Sequence, residues 1–176
     1  RLFAEGVRAS PKVVVAAVAS RDAARATSFA GEMGVPRIHA TYEALLGDPE
    51  IEAIYVPLPN NLHAAWSIRA AEAGKHVLCE KPLAATAAEA RAIFDAARGN
   101  GVYVVEAYPY RAQPQTLKMR ELLADGAVGR IQFIQASFGF PLTDAQNIRM
   151  NTDLAGGALM DAGSYPVSLV RTIAGA

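Results

Sequence analysis

The sequence has little of what marks a specialised class of protein. One cysteine in 176 residues, Cys79, excludes an intrachain disulfide framework and a cysteine-rich metal cluster. No stretch approaches 18 consecutive apolar residues, so no membrane-spanning helix and no membrane partner is expected. Charge of either sign is not in excess: 17 Lys and Arg face 17 Asp and Glu. A nucleic-acid-binding module would show a basic surplus, so nucleic acid is not an expected partner. The first residues lack the charged, apolar and cleavage regions of a secretory leader, which makes the cytoplasm the expected compartment. No internal repeat is present, and no G-x-G-x-x-G. The chain opens at Arg1 inside a helical pattern and stops at Ala174-Gly175-Ala176, which reads as a piece with both ends cut. What is present is ordinary: 52% hydrophobic and 19% charged residues. That composition excludes a disordered or collagen-like chain. A chain of this length buries roughly 70% of its unfolded surface.

Strand-like and helix-like segments alternate over the first part. Residues 12–20 (KVVVAAVAS) form a continuous apolar run with four valines, the pattern of a strand buried on both faces of a parallel sheet. Residues 22–33 are helix-like, closed by Gly34 and Pro36, and 42–46 make a short helical turn. Residues 52–56 (EAIYV) read as a second buried strand, 62–73 as a helix and 76–79 (HVLC) as a third strand. Thr86 and Glu89 form the T-x-x-E signature of a capping box, opening a helix to about residue 97. Residues 102–105 (VYVV) complete a fourth strand. Such alternation predicts an open parallel sheet with right-handed crossovers. Ligands of such sheets bind beyond the carboxyl ends of the strands. That edge would carry Ser20, residues 57–61, residues 80–82 and residues 106–111. After Tyr110 the texture changes. Residues 114–124 suit an amphipathic helix, 130–140 a long strand of a different sheet, 141–153 a polar loop and 158–173 another helix.

Two readings of the missing glycine turn stand at this point. Either the domain binds no dinucleotide, or the turn lay just ahead of Arg1 and residues 12–20 are the second strand.

Four segments in order carry a resemblance. They are residues 48–63 (DPEIEAIYVPLPNNLH), Glu80-Lys81-Pro82, residues 106–111 (EAYPYR) and residues 156–166 (GGALMDAGSYP). Together they resemble the Gfo/Idh/MocA oxidoreductases: Glu80-Lys81-Pro82 resembles that family's E-K-P motif, residues 106–111 the strand-end segment that follows it, and residues 156–166 its G-G-x-x-x-D-x-G-x-Y/H motif. Tyr165 followed by Pro166 is similar to the branch holding dihydrodiol dehydrogenases, xylose dehydrogenases and glucose–fructose oxidoreductase. The resemblance implies an α/β chain. A Rossmann-type doubly wound parallel sheet, its first strand and glycine turn missing, would occupy residues 1–110. The beginning of an α/β substrate domain would occupy 111–176, with a helix returning to the active site. It implies NADP or NAD as cofactor and a sugar, polyol or diol as substrate. A homo-oligomer is expected, since family members often pair through the open second sheet.

The chemistry of single residues fits that implication. Lys81 offers an ammonium to stabilise the charge of a developing alkoxide. Glu80 beside it would orient the cofactor or that ammonium, and Pro82 permits a cis bond before it. Asp161 and Tyr165, four apart, share one helical face. Tyr165 would act as general acid or base if a neighbouring cation lowered its pKa from about 10; Asp161 would hold Lys81 or a substrate hydroxyl. Catalysis is thus expected from Lys81, Asp161 and Tyr165. Ser20 and Arg21 end the first visible strand, where an NAD site usually carries a carboxylate for the 2′-hydroxyl. A hydroxyl and a guanidinium suit a 2′-phosphate instead, so NADP is preferred. By resemblance, Pro57, Leu58, Asn60 and His63 run along the cofactor's ribose and nicotinamide, with Asn61 a natural helix N-cap. Arg111 is a further candidate for cofactor or substrate. His39 and His76 have no partner at any ligand spacing, so no metal site is expected. A catalytically inactive dinucleotide-binding or regulatory protein on the same fold is the alternative.

Overall fold

The computed structural model of the chain describes residues 2–175. Helix α1 (Leu2–Arg8) leads to strand β1 (Ala17–Ala19), helix α2 (Ala23–Met33) and strand β2 (Arg37–His39). Helix α3 (Tyr42–Leu46) leads to strand β3 (Ala53–Val56), helix α4 (Asn60–Glu72) and strand β4 (His76–Glu80). Helix α5 (Ala87–Gly99) and strand β5 (Val104–Ala107) close the alternation. All pairing is parallel, in two pieces: β1-β2, and β3-β4-β5. In the second piece Val56 pairs with Cys79 and Glu80 with Ala107, so the loops after β3, β4 and β5 open on one edge.

Local chemistry explains the helix ends. Asp22 accepts the Arg25 N–H and starts α2, and Gly34 ends it in the left-handed region at φ 67°. Thr86 and Glu89 complete both halves of the capping box that opens α5. The core lies between β3, β4, α4 and α5. Ile54, Val56, Val77, Cys79 and Ile93 are buried there. Helix α4 buries Ala64, Ser67, Ala70 and Ala71, small side chains at helical spacing that let its backbone lie close to its neighbours.

Three expectations need correction. The run at 12–20 forms ladder only over Ala17–Ala19, all three half-buried, while Val13 and Val14 are exposed. Its only ladder partner among the described residues is β2, and with Val13 and Val14 exposed the run is not buried on both faces. The strand β2 itself, Arg-Ile-His, has no apolar pattern and was not anticipated. Residues 130–140 form no ladder among the described residues, and Phe133, Phe138 and Phe140 are exposed. A strand needs a neighbour for its N–H and C=O groups, and no described segment provides one.

Helix α6 (Pro114–Ala124) follows a single 3₁₀ turn. Short 3₁₀ turns at Ile148–Met150 and Thr152–Leu154 precede a π-helical turn, Leu159–Gly163, which runs into helix α7 (Ser164–Ala174). The expected α-helix at 158–173 therefore begins as the wider π form.

Candidate active site

The loops after β3 and β4, together with the 148–161 segment, enclose a cleft of about 240 Å³. Pro57, Leu58, Asn60, His63, Glu80, Lys81 and Asp161 line it. Tyr55, Arg149, Ile148 and Leu154 complete the wall.

Lys81 directly follows β4 and its bond to Pro82 is cis. Its Nζ donates to Asp161 Oδ1 at 2.6 Å and to the Asp161 carbonyl at 2.9 Å. Both side chains are nearly out of water, 11% and 13% exposed. The same ammonium stands 5.1 Å from the centre of the Tyr165 ring, within cation–π range. The three residues expected to act in catalysis thus meet across 80 residues of chain.

Tyr165 departs from expectation in one respect. Burial, then the carboxylates of Glu80 and Asp161, push its phenol above the ordinary value; only Arg149 pulls it down. Lys81 does not supply the expected lowering: burial and the two carboxylates outweigh Arg149, the one cation that pulls the phenol down. Tyr108, Tyr110 and Phe138 surround the ring at centroid distances of 5.4, 6.0 and 5.3 Å. Tyr108 and Tyr110 anchor this wall on α7 through Ser164 O and Ser168 Oγ.

Glu80 accepts the Tyr55 hydroxyl at 2.6 Å. Burial, then that carboxylate, raises the Tyr55 phenol well above its usual range. His63 is almost wholly buried, with Nδ1 2.7 Å from the Pro82 carbonyl and Nε2 2.7 Å from the Leu58 carbonyl. It ties the turn after β3 to the turn after β4. Glu106 accepts the Leu83 N–H and fixes the far side of the second turn.

Asn60 and Asn61 do not cap α4. The helix starts at Asn60 itself, with Pro59 ahead of it and no side-chain cap. The two amides donate instead to the carbonyls of Ala155, at 2.8 Å, and Asp153, at 3.1 Å. Ser20 lies at the end of β1 and accepts the Asp22 N–H; Arg21 beside it is exposed. Neither lines the cleft. Arg111 is exposed in the 3₁₀ turn after β5 and is not part of the wall. His39 and His76 have partners that spacing did not reveal, Asp48 and the Tyr103 N–H. No group of metal-binding side chains occurs among the described residues. Sequence reasoning missed Tyr55 and Arg149. No local signal marks either, since their partners lie 25 and 12 residues away.

Comparison with known proteins identifies the family. Residues 1–108 match the "Oxidoreductase family, NAD-binding Rossmann fold", and residues 116–176 match the "GFO/IDH/MocA C-terminal domain". The chain belongs to the Gfo/Idh/MocA family. It is 48% identical over 161 residues to a D-xylose 1-dehydrogenase (NADP(+)) of Haloferax volcanii, covering 91% of this chain and 49% of that protein. A trans-1,2-dihydrobenzene-1,2-diol dehydrogenase of Xenopus laevis is 38% identical, covering 90% and 48%. Among solved structures, a 3-ketoreductase of Actinomadura kijaniata with NADP and TDP-benzene superposes with TM-score 0.90 at 37% identity. That match covers 97% of this chain and 52% of the other. The chain spans about half the length of the curated relatives it matches.

Proposed function

We propose that the protein is an NADP(H)-preferring oxidoreductase interconverting the alcohol and carbonyl forms of a sugar, polyol or diol. The observation that carries this reading is the Lys81–Asp161 pair in the cleft wall, with the Lys81 ammonium 5.1 Å from the centre of the Tyr165 ring. The residues present fit the nicotinamide half of the cofactor. The cleft lies beyond the carboxyl ends of parallel strands, where such ligands bind, and its wall combines apolar Pro57 and Leu58 with polar Glu80 and Lys81. A bound nicotinamide would supply or accept the hydride.

The chain's own residues do the rest. Lys81, held in place by Asp161, stabilises negative charge on the substrate oxygen. The Lys81 and Asp161 side chains are only 11% and 13% exposed, which makes that stabilisation larger than it would be in water. Tyr165 holds a proton on its hydroxyl for that oxygen. The adenosine end supports NADP. Arg21 is exposed, and the nearest carboxylate, Asp22, is engaged by the Arg25 N–H, so it is not directed at a 2′-phosphate.

The test is turnover followed through the absorbance of the reduced nicotinamide, over a panel of aldoses, polyols and diols. Lys81→Ala should lower kcat by on the order of 10²-fold or more. A variant within about threefold of the parent would end the reading.

A further inference from the structure

Asp161 has two partners. Oδ1 accepts from Lys81, and Oδ2 accepts from Arg149 Nε at 2.8 Å. Arg149 sits in the 3₁₀ turn Ile148–Met150 and is 44% exposed. An arginine that open to water usually samples many rotamers, and a lone exposed pair contributes little. This one is set from several sides. The Gly157 N–H donates to the Arg149 carbonyl at 2.8 Å, and the Asp161 N–H donates to the Gly157 carbonyl at 3.0 Å. The backbone of Arg149 is therefore two hydrogen bonds from that of Asp161. Gly156 makes this winding possible. A Cβ there would lie 2.6–2.8 Å from the carbonyl oxygens of Arg149, Asn151 and Ile148. From α4, the Asn60 and Asn61 amides hold the Ala155 and Asp153 carbonyls. The loop is built to present one guanidinium to one carboxylate oxygen.

The second bond has a physical consequence. The terminal torsion of an aspartate is broad. With Lys81 as its only partner, the carboxylate can swivel and take the ammonium with it. With Oδ2 occupied, the plane of the carboxylate is fixed and so is the direction of the Lys81 N–H groups. The charge balance changes as well. Two cations share one carboxylate, so the field of Lys81 at the substrate is not cancelled by Asp161.

We propose that Arg149 is a positioning residue of this site, locking the rotation of Asp161 and thereby the aim of Lys81. Its kinetic consequence rests on the oxidoreductase reading above; its structural consequence does not. The groups facing the Tyr165 phenol are known: Glu80 and Lys81 from the end of β4, Asp161 from the π turn, Arg149 from its loop, and Tyr108 and Tyr110 from beyond β5. Of the charged groups that shift it, Arg149 alone lowers its pKa.

The experiment has two arms. In steady-state kinetics, Arg149→Gln should lower kcat on the order of 10–100-fold, with the KM for NADPH within about twofold of the parent. Arg149→Lys should recover part of the loss. In the second arm no cofactor is present. Protein labelled with ¹³C at tyrosine Cζ is titrated by NMR, the Tyr165 signal being assigned by its absence from Tyr165→Phe. Arg149→Gln should move the Tyr165 midpoint further up, Asp161→Asn should move it down, and Arg149→Lys should stay near the parent. Arg149 is 44% exposed, so Arg149→Gln should keep the parent's fold, which its circular dichroism spectrum checks. An Arg149→Gln protein with parental kcat and an unmoved Tyr165 midpoint would overturn the proposal. If the parent turns over no alcohol or carbonyl at all, the oxidoreductase reading fails, and the titration alone decides the role of Arg149.

Discussion

The Lys81–Asp161 pair can be examined by a double-mutant cycle whose signs follow from burial. Removing one partner of a buried ion pair costs about 3–5 kcal/mol, because the other charge is left uncompensated. For an exposed pair the figure is about 0–1 kcal/mol. Side-chain exposures of 11% and 13% put this pair near the buried limit but not at it. Asp161→Asn strands Lys81, and also frees Arg149, which can return to water. The expected loss is about 2–3 kcal/mol. At about 2–4 °C per kcal/mol for a protein of this size, the melting temperature should fall by about 4–12 °C. Lys81→Met should cost less, about 1–2 kcal/mol, because Asp161 keeps Arg149. The double variant Lys81→Met/Asp161→Asn leaves no buried charge unpaired, and should be more stable than Asp161→Asn alone. Activity should not follow stability: all three variants should lose on the order of 10²-fold or more in kcat/KM. Thermal melts by circular dichroism and the nicotinamide assay supply both readouts. Strictly additive stability losses, or an Asp161→Asn protein melting within about 1 °C of the parent, would refute the argument that the two charges depend on each other.

Four further outcomes follow, at the site and away from it. His63→Ala removes the buried ring packed between the Leu58 and Pro82 carbonyls, with the hydrogen bond it donates there, and opens a cavity, so the urea midpoint should report a loss of about 2–4 kcal/mol. Gly156→Ala should destabilise by about 1–3 kcal/mol in the same urea titration and depress activity through the Arg149 loop. Gly31→Ala in α2, where nothing lies within 4 Å of the added carbon, should stabilise by about 0.5–1 kcal/mol. Burial raises the Cys79 thiol from an ordinary 9.0 to about 11. The unfolded chain therefore releases that proton first, and this contribution is complete below pH 9 and lost as pH rises to about 11. Urea titrations over that range should fall more steeply in the parent than in Cys79→Ala, by on the order of 2–3 kcal/mol in total.

What could be read from the sequence was local or carried by spacing. The Thr86–Glu89 box, the Asp22 start and Gly34 stop of α2, and the helix at 114–124 all rest on contacts within four residues. The parallel strands at 53–56 and 76–80 are short apolar runs bounded by helices. Errors arose where a residue's partner is remote. The valines at 13 and 14 look like core, but burial needs a covering layer that hydrophobicity alone does not supply. Residues 130–140 have strand chemistry without a ladder. Asn61 has the right side chain for a cap, yet a carbonyl 92 residues away takes its amide. Arg149 was invisible for the same reason. Nothing about an Asn-Ile-Arg-Met segment announces a partner twelve residues on, and only the tight winding at Gly156 brings the two together.

The behaviour of Tyr165 shows how one geometric detail changes the chemistry. A nearby cation favours the phenolate; burial and nearby carboxylates favour the neutral phenol. Here burial and two carboxylates outweigh Arg149, and the phenol stays protonated beyond the ordinary tyrosine range. A protonated phenol is ready to give a proton to a carbonyl oxygen that becomes an alcohol. In the opposite direction it must first pass its own proton on before taking one from an alcohol. The two directions should therefore respond differently to pH. Carbonyl reduction should be flat from neutral pH to at least pH 10, and fall only beyond the ordinary tyrosine value of about 10. Alcohol oxidation should climb steadily through the same interval, as solvent accepts the released proton more readily. Measured with saturating cofactor in both directions, a reduction rate that already falls between about pH 7 and 9 would mean that a group with a lower pKa supplies the proton. Tyr165→Phe separates the cases: it should abolish the alkaline fall in whatever reduction rate remains, whereas a fall set by another group would persist.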